Sequence, residues 1–172
     1  AAGDLIVFVD SDSFLRHDAL TRIVDGFVDP RVAAITGHCD VENAWANLLT
    51  RMQAVRYYLG FRIMKAAESL FDTVTCLSGP FTAYRREALL EALDAWVNQT
   101  FLGAPATYGD DRALTNLLMR RGWKLKYDAR ARCTTMAPED QRTFLRQQLR
   151  WKRSWFRESL KACTIVWRRE PL

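Results

Sequence analysis

The sequence lacks the cysteine pattern of a metal-binding or disulfide-stapled domain. Its four cysteines are widely scattered and form no C-x-x-C pair: Cys39, Cys76, Cys133 and Cys163. Structural zinc sites and disulfide frameworks are built from closely patterned cysteines. We therefore expect neither, and a reducing, cytosolic setting is the default.

Long apolar runs are also missing. No stretch reaches the roughly 18 apolar residues of a membrane-spanning helix, so these residues are not expected to cross a bilayer by themselves. The first four residues enter an apolar segment without a start methionine, signal peptide or linker. We expect residues 1–172 to be a partial domain of a longer protein, which can itself be membrane-bound.

Positive charge is in excess. The 172 residues carry a net charge of +5 and are 49% hydrophobic, which is typical of one packed, ordered domain with an anionic partner. The excess gathers late in the chain, where five aromatic residues are interleaved with nine basic ones. The basic residues are Arg142, Arg146, Arg150, Lys152, Arg153, Arg157, Lys161, Arg168 and Arg169. No nucleic-acid-binding module accompanies them, so we expect no nucleic acid partner. A basic amphipathic helix on a membrane surface fits better.

The first third of the chain has the pattern of an α/β domain. Residues 5–9 are a continuous apolar run, typical of a strand that is buried on both faces. Asp18 can cap a helix that ends before Pro30, and residues 32–35 are a short second strand. This order predicts the βαβ unit of a layered α/β domain.

The later elements follow from periodicity and from turn residues. The patterns predict a helix over 43–70, strands at 73–77 and 81–84, a helix over 86–93, a loop at 100–108, a helix from 110 that ends at Gly122, a strand at 123–127 and a helix over 141–167.

An acidic cluster, Asp10-Ser11-Asp12, follows the first strand. Side chains two apart on an extended segment point the same way, and the carboxyl ends of such strands are where α/β sheets bind ligands. Two carboxylates there suit Mg²⁺ or Mn²⁺ that bridges a diphosphate. The alternative is that Asp12 caps a turn and Asp10 is a solvated strand end.

A second cluster, Gly109-Asp110-Asp111-Arg112, opens a predicted helix. Acidic residues in a first turn complement the helix dipole, which explains one of the pair. Adjacent carboxylates also raise each other's proton affinity, which is useful in a general base. We expect one residue to have each role.

A turn with small side chains, Ser78-Gly79-Pro80, would let a substrate approach the backbone closely. Cys76, just before it, is either a small buried hydrophobe or part of the lining of that site.

Three residues of the last predicted helix, Gln147, Arg150 and Trp151, lie within about one turn of each other and can meet one ligand. Arg150 supplies a planar cation for a phosphate, and Trp151 supplies an apolar face for a sugar ring.

Two other classes compete for parts of this pattern. Asp10-Ser11-Asp12-Ser13 resembles the first motif of haloacid-dehalogenase-type phosphatases, where Asp10 would be a nucleophile. Those enzymes need a lysine and a second acidic motif on another strand end, whereas Asp110 and Asp111 open a helix. A non-enzymatic membrane or polyanion module explains the basic helix and leaves both acidic clusters without a role.

Taken in order, the motifs resemble those of the family 2 glycosyltransferases, the processive membrane-bound enzymes. The matching segments are Asp10-Ser11-Asp12, Cys76-Leu77-Ser78-Gly79-Pro80, Gly109-Asp110-Asp111-Arg112 and Gln147-x-x-Arg150-Trp151. Within the family, residues 47–51, 98–103, 109–116 and 151–159 are most similar to bacterial class I hyaluronan synthases. Chitin oligosaccharide synthases of nodulating bacteria share the four motifs.

This resemblance implies a partial GT-A-type, Rossmann-like glycosyltransferase domain over 1–172, with about 141–169 a basic amphipathic helix at the membrane interface. The implied activity is inverting, processive transfer from UDP-GlcNAc and UDP-GlcA to a growing polysaccharide, hyaluronan, or chitin from UDP-GlcNAc alone. The implied location is the cytoplasmic face of the cell membrane.

The resemblance also implies a role for each motif residue. Asp111 would be the catalytic base, and Asp10 and Asp12 would hold Mg²⁺ or Mn²⁺ on the donor diphosphate. The remaining roles are diphosphate binding by Gln147 and Arg150 and acceptor binding by Cys76, Ser78, Gly79 and Trp151.

Overall fold

The computed structural model describes residues 3–101, 103–106 and 109–169, with side chains up to residue 163. The strands are β1 (Leu5–Phe8), β2 (Ser13–Leu15), β3 (Val32–Val41), β4 (Thr82–Arg85), β5 (Thr100–Phe101), β6 (Ala104–Pro105) and β7 (Lys124–Thr135). The helices are α1 (Ala19–Asp25), α2 (Leu48–Tyr58), a π-helical segment (Leu59–Lys65), α3 (Ala66–Leu70), α4 (Arg86–Val97), α5 (Asp110–Arg120) and α6 (Gln141–Arg169).

The main sheet is mixed and has the order β1-β4-β3-β7-β2. β3 and β7 pair in parallel, and the other neighbours pair antiparallel. β1 and β3 therefore run in the same direction, with β4 between them. The expectation that residues 5–9 are buried on both faces is wrong: in the described part of the chain β1 is an edge strand that pairs only with β4, and its four residues are partly exposed.

Helices cover both faces of this sheet. One core cluster joins α4 and α5 to the sheet through Leu89, Leu114 and Leu118, and a second joins α1 and the π-helical segment through Ile23 and Phe61. Alternate residues of a strand point to opposite faces. The predicted layered α/β architecture is therefore confirmed.

The strand expected at 73–77 does not form. Only Thr73 makes an isolated bridge, to Leu125. Side chains satisfy the backbone that follows: the Thr75 N–H donates to Glu68 over 3.0 Å, and the Leu77 N–H donates to Thr115 Oγ1 over 3.0 Å. A β-branched composition predicted a strand here, but the donors that a strand would use are already engaged.

Several element boundaries also differ from those predicted. β3 has ten residues and β7 has twelve, because each extends the parallel pairing of the other beyond 32–35 and 123–127. The helix expected from 43 begins at Leu48, where the Asn47 side chain accepts from the Thr50 N–H in a capping box. The loop expected at 100–108 contains the short β5–β6 hairpin.

The last two helices begin as predicted. α5 starts at Asp110 and is followed by Gly122 with a φ of 88°. α6 starts at Gln141 and has 29 residues. Within the described ranges no helix combines the length and apolarity needed to cross a bilayer.

Candidate active site

The Asp10-Ser11-Asp12 cluster lies in the connection between β1 and β2. The Ser13 N–H donates to the Asp10 carbonyl over 3.0 Å and closes a turn. The expectation that Asp10 and Asp12 sit two apart on one extended segment is therefore wrong. Both carboxylates still belong to one charged region, because the negative charge of Asp12 contributes to raising the pKa of Asp10.

Gly79 lies between two of the predicted acidic residues. A β-carbon at this position would lie 2.8 Å from each carboxylate oxygen of Asp10. On its other side, the Gly79 N–H donates to Asp111 Oδ2 over 3.2 Å. A carboxylate of the protein itself thus approaches this backbone closely, and any larger residue would displace it. The approach of a substrate to this turn stays a prediction.

The turn that carries Gly79 is anchored on three sides. The Leu77 N–H donates to Thr115 on α5, and the Thr82 hydroxyl donates to the Ser78 carbonyl over 2.7 Å. The Lys65 ammonium donates to the Cys76 carbonyl. Cys76 itself is half-buried, so it is not the fully buried hydrophobe that was one alternative.

The two neighbouring acids of α5 point to different partners. The Asp110 carboxylate accepts from Gln99 Nε2 over 3.3 Å, and its carbonyl accepts from Trp96 Nε1 over 3.0 Å. The Asp111 carboxylate faces Gly79 instead. The division of roles expected from the sequence has a geometric counterpart, in which only Asp111 points to the turn at 76–80.

Charge and desolvation act together on the two facing carboxylates. Desolvation raises the pKa of Asp111; the Gly79 N–H opposes this, Asp110 adds to it, and Lys65 opposes it more weakly. Desolvation raises the pKa of Asp10, as do the charges of Asp111 and Asp12, whereas Arg150 lowers it. Asp10, Asp111 and Arg150 are therefore close enough to interact electrostatically.

The predicted ligand-binding turn of α6 lies beside α2. Arg56 stacks over the Trp151 ring at 5.8 Å and donates to Gln148 Oε1. The Gln147 Oε1 atom is buried and has no hydrogen-bond partner in the described part of the chain. Trp151 is half-buried, while Arg150 is exposed. A buried amide oxygen without a partner can accept a hydrogen bond from a ligand or a water molecule.

One site residue, Lys65, was missed by the sequence analysis. It ends the π-helical segment, is 8% exposed, and lies 5.1 Å from the Phe61 ring as well as against the Cys76 carbonyl. Burial lowers its pKa. No sequence signal marked it, because a lysine in a long helical pattern is ordinarily solvated. Short π-helical segments are frequent at functional sites.

The structure thus brings Asp10, Gly79 and Asp111 into one site, with Arg150 within electrostatic reach. Cys76 and Ser78 lie on the same turn as Gly79, and Asp12 follows Asp10 in its turn. Gln147 and Trp151 share their helical turn with Arg150. Within the described ranges no three acidic, histidine or cysteine side chains form a ready-made metal cage.

The family of the chain is shown by its similarity to known proteins. Residues 2–165 match a family model described as chitin synthase. The chain belongs to the family 2 glycosyltransferases. This membership rules out the phosphatase alternative, in agreement with the helical position of Asp110 and Asp111.

Two curated relatives and one solved structure are informative about this family 2 glycosyltransferase. It is 42% identical over 157 residues to a hyaluronan synthase of Streptococcus pyogenes, covering 91% of the chain and 37% of that protein. It is 37% identical over 166 residues to an N-acetylglucosaminyltransferase of Rhizobium meliloti, covering 96% and 39% respectively. The chain therefore spans less than half the length of both relatives.

The solved structure is a mannosyltransferase from Pyrobaculum calidifontis in complex with GDP-Man and Mn²⁺. It matches with a TM-score of 0.67 at 20% identity, over 95% of this chain and 40% of that one. The fold is therefore of the GT-A glycosyltransferase type, as predicted.

Proposed function

We propose that the protein is an inverting, processive glycosyltransferase that uses UDP-GlcNAc and UDP-GlcA to extend a β-linked polysaccharide, hyaluronan. The observation that carries the proposal is the meeting of Asp10 and Asp111 on opposite sides of Gly79, with Arg150 within electrostatic reach. The relative with a hyaluronan synthase name supports the choice of polymer.

Asp111 is the group in this proposal that takes a proton. The anomeric carbon of a UDP-sugar is already activated, so the enzyme must deprotonate the incoming hydroxyl and stabilise the leaving diphosphate. A positioned base contributes roughly 10²–10⁴ in rate. Desolvation raises the pKa of Asp111, which strengthens it as a base. A single displacement inverts the anomeric centre and makes β-linkages from α-linked donors.

The diphosphate has candidate ligands on two elements. Gln147 and Arg150 present an amide and a guanidinium from α6, and a guanidinium suits phosphate oxygens. Asp10, which the charge of Arg150 reaches, and Asp12 in the same turn carry hard oxygen donors that would hold Mg²⁺ or Mn²⁺. The residues fit such an ion, because desolvation and neighbouring negative charge raise the pKa of Asp10, and a cation relieves both. The bound ion would neutralise the charge of the leaving diphosphate.

The acceptor side is formed by the anchored turn. Gly79 places its backbone N–H against Asp111, and Cys76 and Ser78 lie on the same turn. Trp151 has a ring that can stack on a sugar, and the Arg56 guanidinium lies 5.8 Å from the centre of that ring. The acceptor hydroxyl would then lie between the turn and Trp151, within reach of the Asp111 carboxylate.

Chitin or a chitin oligosaccharide is the second candidate product. The N-acetylglucosaminyltransferase of Rhizobium meliloti is similar over 96% of the chain, a slightly larger share than the hyaluronan synthase. Hyaluronan needs two donors and chitin needs one, so the requirement for UDP-GlcA separates the candidates.

The test uses membranes from cells that express the full open reading frame, supplied with Mg²⁺ or Mn²⁺. We expect UDP release and long, hyaluronidase-sensitive polymer only when UDP-GlcNAc and UDP-GlcA are both present, and loss of both when the ion is chelated. Chitinase-sensitive product from UDP-GlcNAc alone would move the assignment to chitin. No metal-dependent turnover with either donor would overturn the proposal.

The proposal also places the catalytic domain on the cytoplasmic face of the cell membrane, with α6 at the interface. The exposed side of α6 carries an apolar stripe: Leu145, Leu149, Phe156 and Leu160, at intervals of 4, 7 and 4 residues, have at least half of their surface accessible. Arg142, Arg146, Lys152 and Arg153 are exposed beside them. Apolar and basic residues together suit an anionic lipid surface.

Vesicle binding separates this docking from catalysis. We expect the protein to bind vesicles that contain anionic lipid more tightly than neutral ones, with the difference falling as salt is raised, because the basic contribution is screened. Asp12→Asn is expected to abolish turnover without changing vesicle binding. Equal binding to neutral and anionic vesicles would contradict the interfacial role of α6.

A further inference from the structure

The inner face of α6 is polar and buried, in contrast to its apolar outer face. Ser154 and Arg157 are each 5% exposed, and Glu158 is 2% exposed. Arg157 and Glu158 lie three and four residues after Ser154, and all three continue the helix face that carries Gln147, Arg150 and Trp151. Because Leu145, Leu149, Phe156 and Leu160 face outward, they do not orient this helix on the domain. Polar contacts of the inner face contribute to the orientation.

Glu158 is the centre of these contacts. Its Oε1 accepts from Arg157 Nε over 2.7 Å and from Lys161 Nζ over 3.0 Å, and its Oε2 accepts from Asn116 Nδ2 over 2.9 Å. The same Asn116 amide also donates to the Glu158 carbonyl over 3.0 Å. Asn116 lies on α5, so a buried charged network joins the two helices. A buried ionic contact is weak evidence for stability, and in some proteins it sets geometric specificity instead.

The network lies next to the start of α5, the helix that carries Asp110 and Asp111. A β-carbon at Gly109, the residue before Asp110, would lie 1.8 Å from Ser154 Oγ and 3.3 Å from an Arg157 guanidinium nitrogen. On the same helix α5, Thr115 accepts from the Leu77 N–H and donates to the Asp111 carbonyl over 2.6 Å. α5 is thus tied both to the turn at 76–80 and to α6.

We propose that Glu158 is a positioning residue that sets the distance between the base, Asp111, and the donor-binding turn of α6, through its hydrogen bonds to Asn116 and Arg157. The inference rests on the proposed function for its catalytic consequence. Glu158 is not itself in contact with Asp10, Gly79 or Asp111. It acts by fixing the helix that carries Arg150 and Trp151 against the helix that begins at Asp110.

Glu158→Gln is the direct test. Glutamine keeps the shape of the side chain but replaces one carboxylate oxygen by an NH₂ group, which cannot accept the hydrogen bonds that Asn116, Arg157 and Lys161 donate. The two helices should therefore shift. A displacement near 1 Å can cost about 10²-fold in rate. We expect kcat for transfer to fall by roughly 10- to 100-fold, with the KM for each UDP-sugar changing by less than about threefold, since the diphosphate ligands stay on one helical turn.

The double variant Asn116→Asp/Glu158→Gln separates a specific pairing from a general loss of stability. It returns a carboxylate and an amide to the two facing positions in exchanged order, but it removes the hydrogen bond that the Asn116 amide donates to the residue 158 carbonyl, so we expect a partial recovery of about threefold over Glu158→Gln. Glu42→Gln makes the same chemical change at an exposed site and should leave kcat unchanged. Wild-type kcat in Glu158→Gln, or no recovery in the double variant, would overturn the proposal.

Amide hydrogen exchange gives a readout that does not depend on turnover. Glu158→Gln is expected to increase exchange in residues 110–120 and 147–161 while leaving β3 and β7 unchanged, and the double variant is expected to reverse part of the increase. Unchanged exchange in both helices would overturn the positioning role even in an active enzyme. If the wild type transferred no sugar, the proposed function would fail, and the exchange result would still decide whether Glu158 holds the two helices together.

Discussion

Replacing Asp111 by asparagine is expected to reduce sugar transfer by roughly 10²–10⁴-fold, the range that a positioned general base contributes. Asparagine has nearly the same shape, and its amide oxygen can still accept the hydrogen bond that the Gly79 N–H donates to Asp111. The turn at 76–80 should therefore stay in place. What is lost is the ability to take a proton from the acceptor hydroxyl, so kcat should fall far more than donor affinity.

Asp110→Asn is the matched control for this substitution. It removes the neighbouring carboxylate of the same motif, whose partner is Gln99 rather than the turn at 76–80. We expect its kcat to remain within a few-fold of the wild-type value. The measurement is initial-rate UDP release in parallel with polymer length for both variants. Turnover that survives in Asp111→Asn, or that is lost to a larger extent in Asp110→Asn, would contradict the assignment of the base.

The pH dependence of turnover is a second, independent test of Asp111 as the base. A base must be ionised to act, so turnover should rise with pH through the pKa of Asp111. Desolvation raises that pKa above the usual 3.8, so the acid limb should begin at a higher pH than for a solvated aspartate. Asp110 also raises it. Asp110→Asn should therefore shift the acid limb to lower pH, and a shift to higher pH would contradict the electrostatic picture.

Much of this site could be predicted from the sequence because each motif is local. The α5 start at Asp110 follows from a glycine, two acids and a leucine periodicity, and all of these are features of one short segment. The same is true of Gln147, Arg150 and Trp151, which any helix would place within one turn. The order of the motifs, compared with a known family, then supplied the roles.

The contacts between segments could not be predicted in this way. Periodicity reports which face of an element is apolar, and it does not report which element will cover that face. No local pattern indicated that Lys65 would be buried against the Cys76 carbonyl or Glu158 against Asn116. The strand predicted at 73–77 failed for a related reason, because Glu68 and Thr115 supply the backbone partners that a neighbouring strand would have supplied.

The sequence correctly predicted that α6 is an amphipathic helix, but it did not show which of its residues would be buried against the domain. The sequence pattern alone predicts one interfacial surface of aromatic and basic residues. In the structure one of the basic residues leaves that surface: Arg157 is buried together with Glu158, whereas Phe156 and Leu160 face outward. A buried glutamate is rare unless it is paired. Its pairing lies some 42 residues away in sequence, on α5, where no local pattern could show it.

Gly109→Ala is expected to have the largest effect of any conservative change outside the reacting groups. Gly109 has a φ of 84°, and alanine in this left-handed region costs roughly 1–2 kcal/mol. Its β-carbon would also lie 1.8 Å from Ser154 Oγ and 2.5 Å from Ser154 Cβ. Forced overpacking costs about 1–3 kcal/mol more. We therefore expect a loss of about 2–5 kcal/mol in the free energy of unfolding, together with a loss of turnover as α6 moves away from Asp111.

Two other glycines separate the causes of this loss. Gly103 has a φ of 81°, and no atom of the described residues lies within 4 Å of the β-carbon that alanine would add. Gly103→Ala should therefore show the backbone cost alone, roughly 1–2 kcal/mol. Gly60 lies in the π-helical segment without positive φ or a neighbour within 4 Å, so Gly60→Ala should be neutral or stabilising by up to about 1 kcal/mol. Thermal unfolding of the purified variants measures all three.

A compensating change at Ser154 tests whether the contact itself is responsible. Ser154→Gly removes both atoms that the new β-carbon would strike, so Gly109→Ala/Ser154→Gly should retain the backbone part of the loss and recover the overpacking part, less the roughly 0.5–1 kcal/mol that a glycine inside a helix costs. Because Ser154 lies one turn beyond Arg150 on the inner face of α6, the recovery in stability should be accompanied by a recovery in kcat. If Gly109→Ala were no worse than Gly103→Ala, the close approach of α6 to the start of α5 would not be what holds the donor-binding turn beside the base.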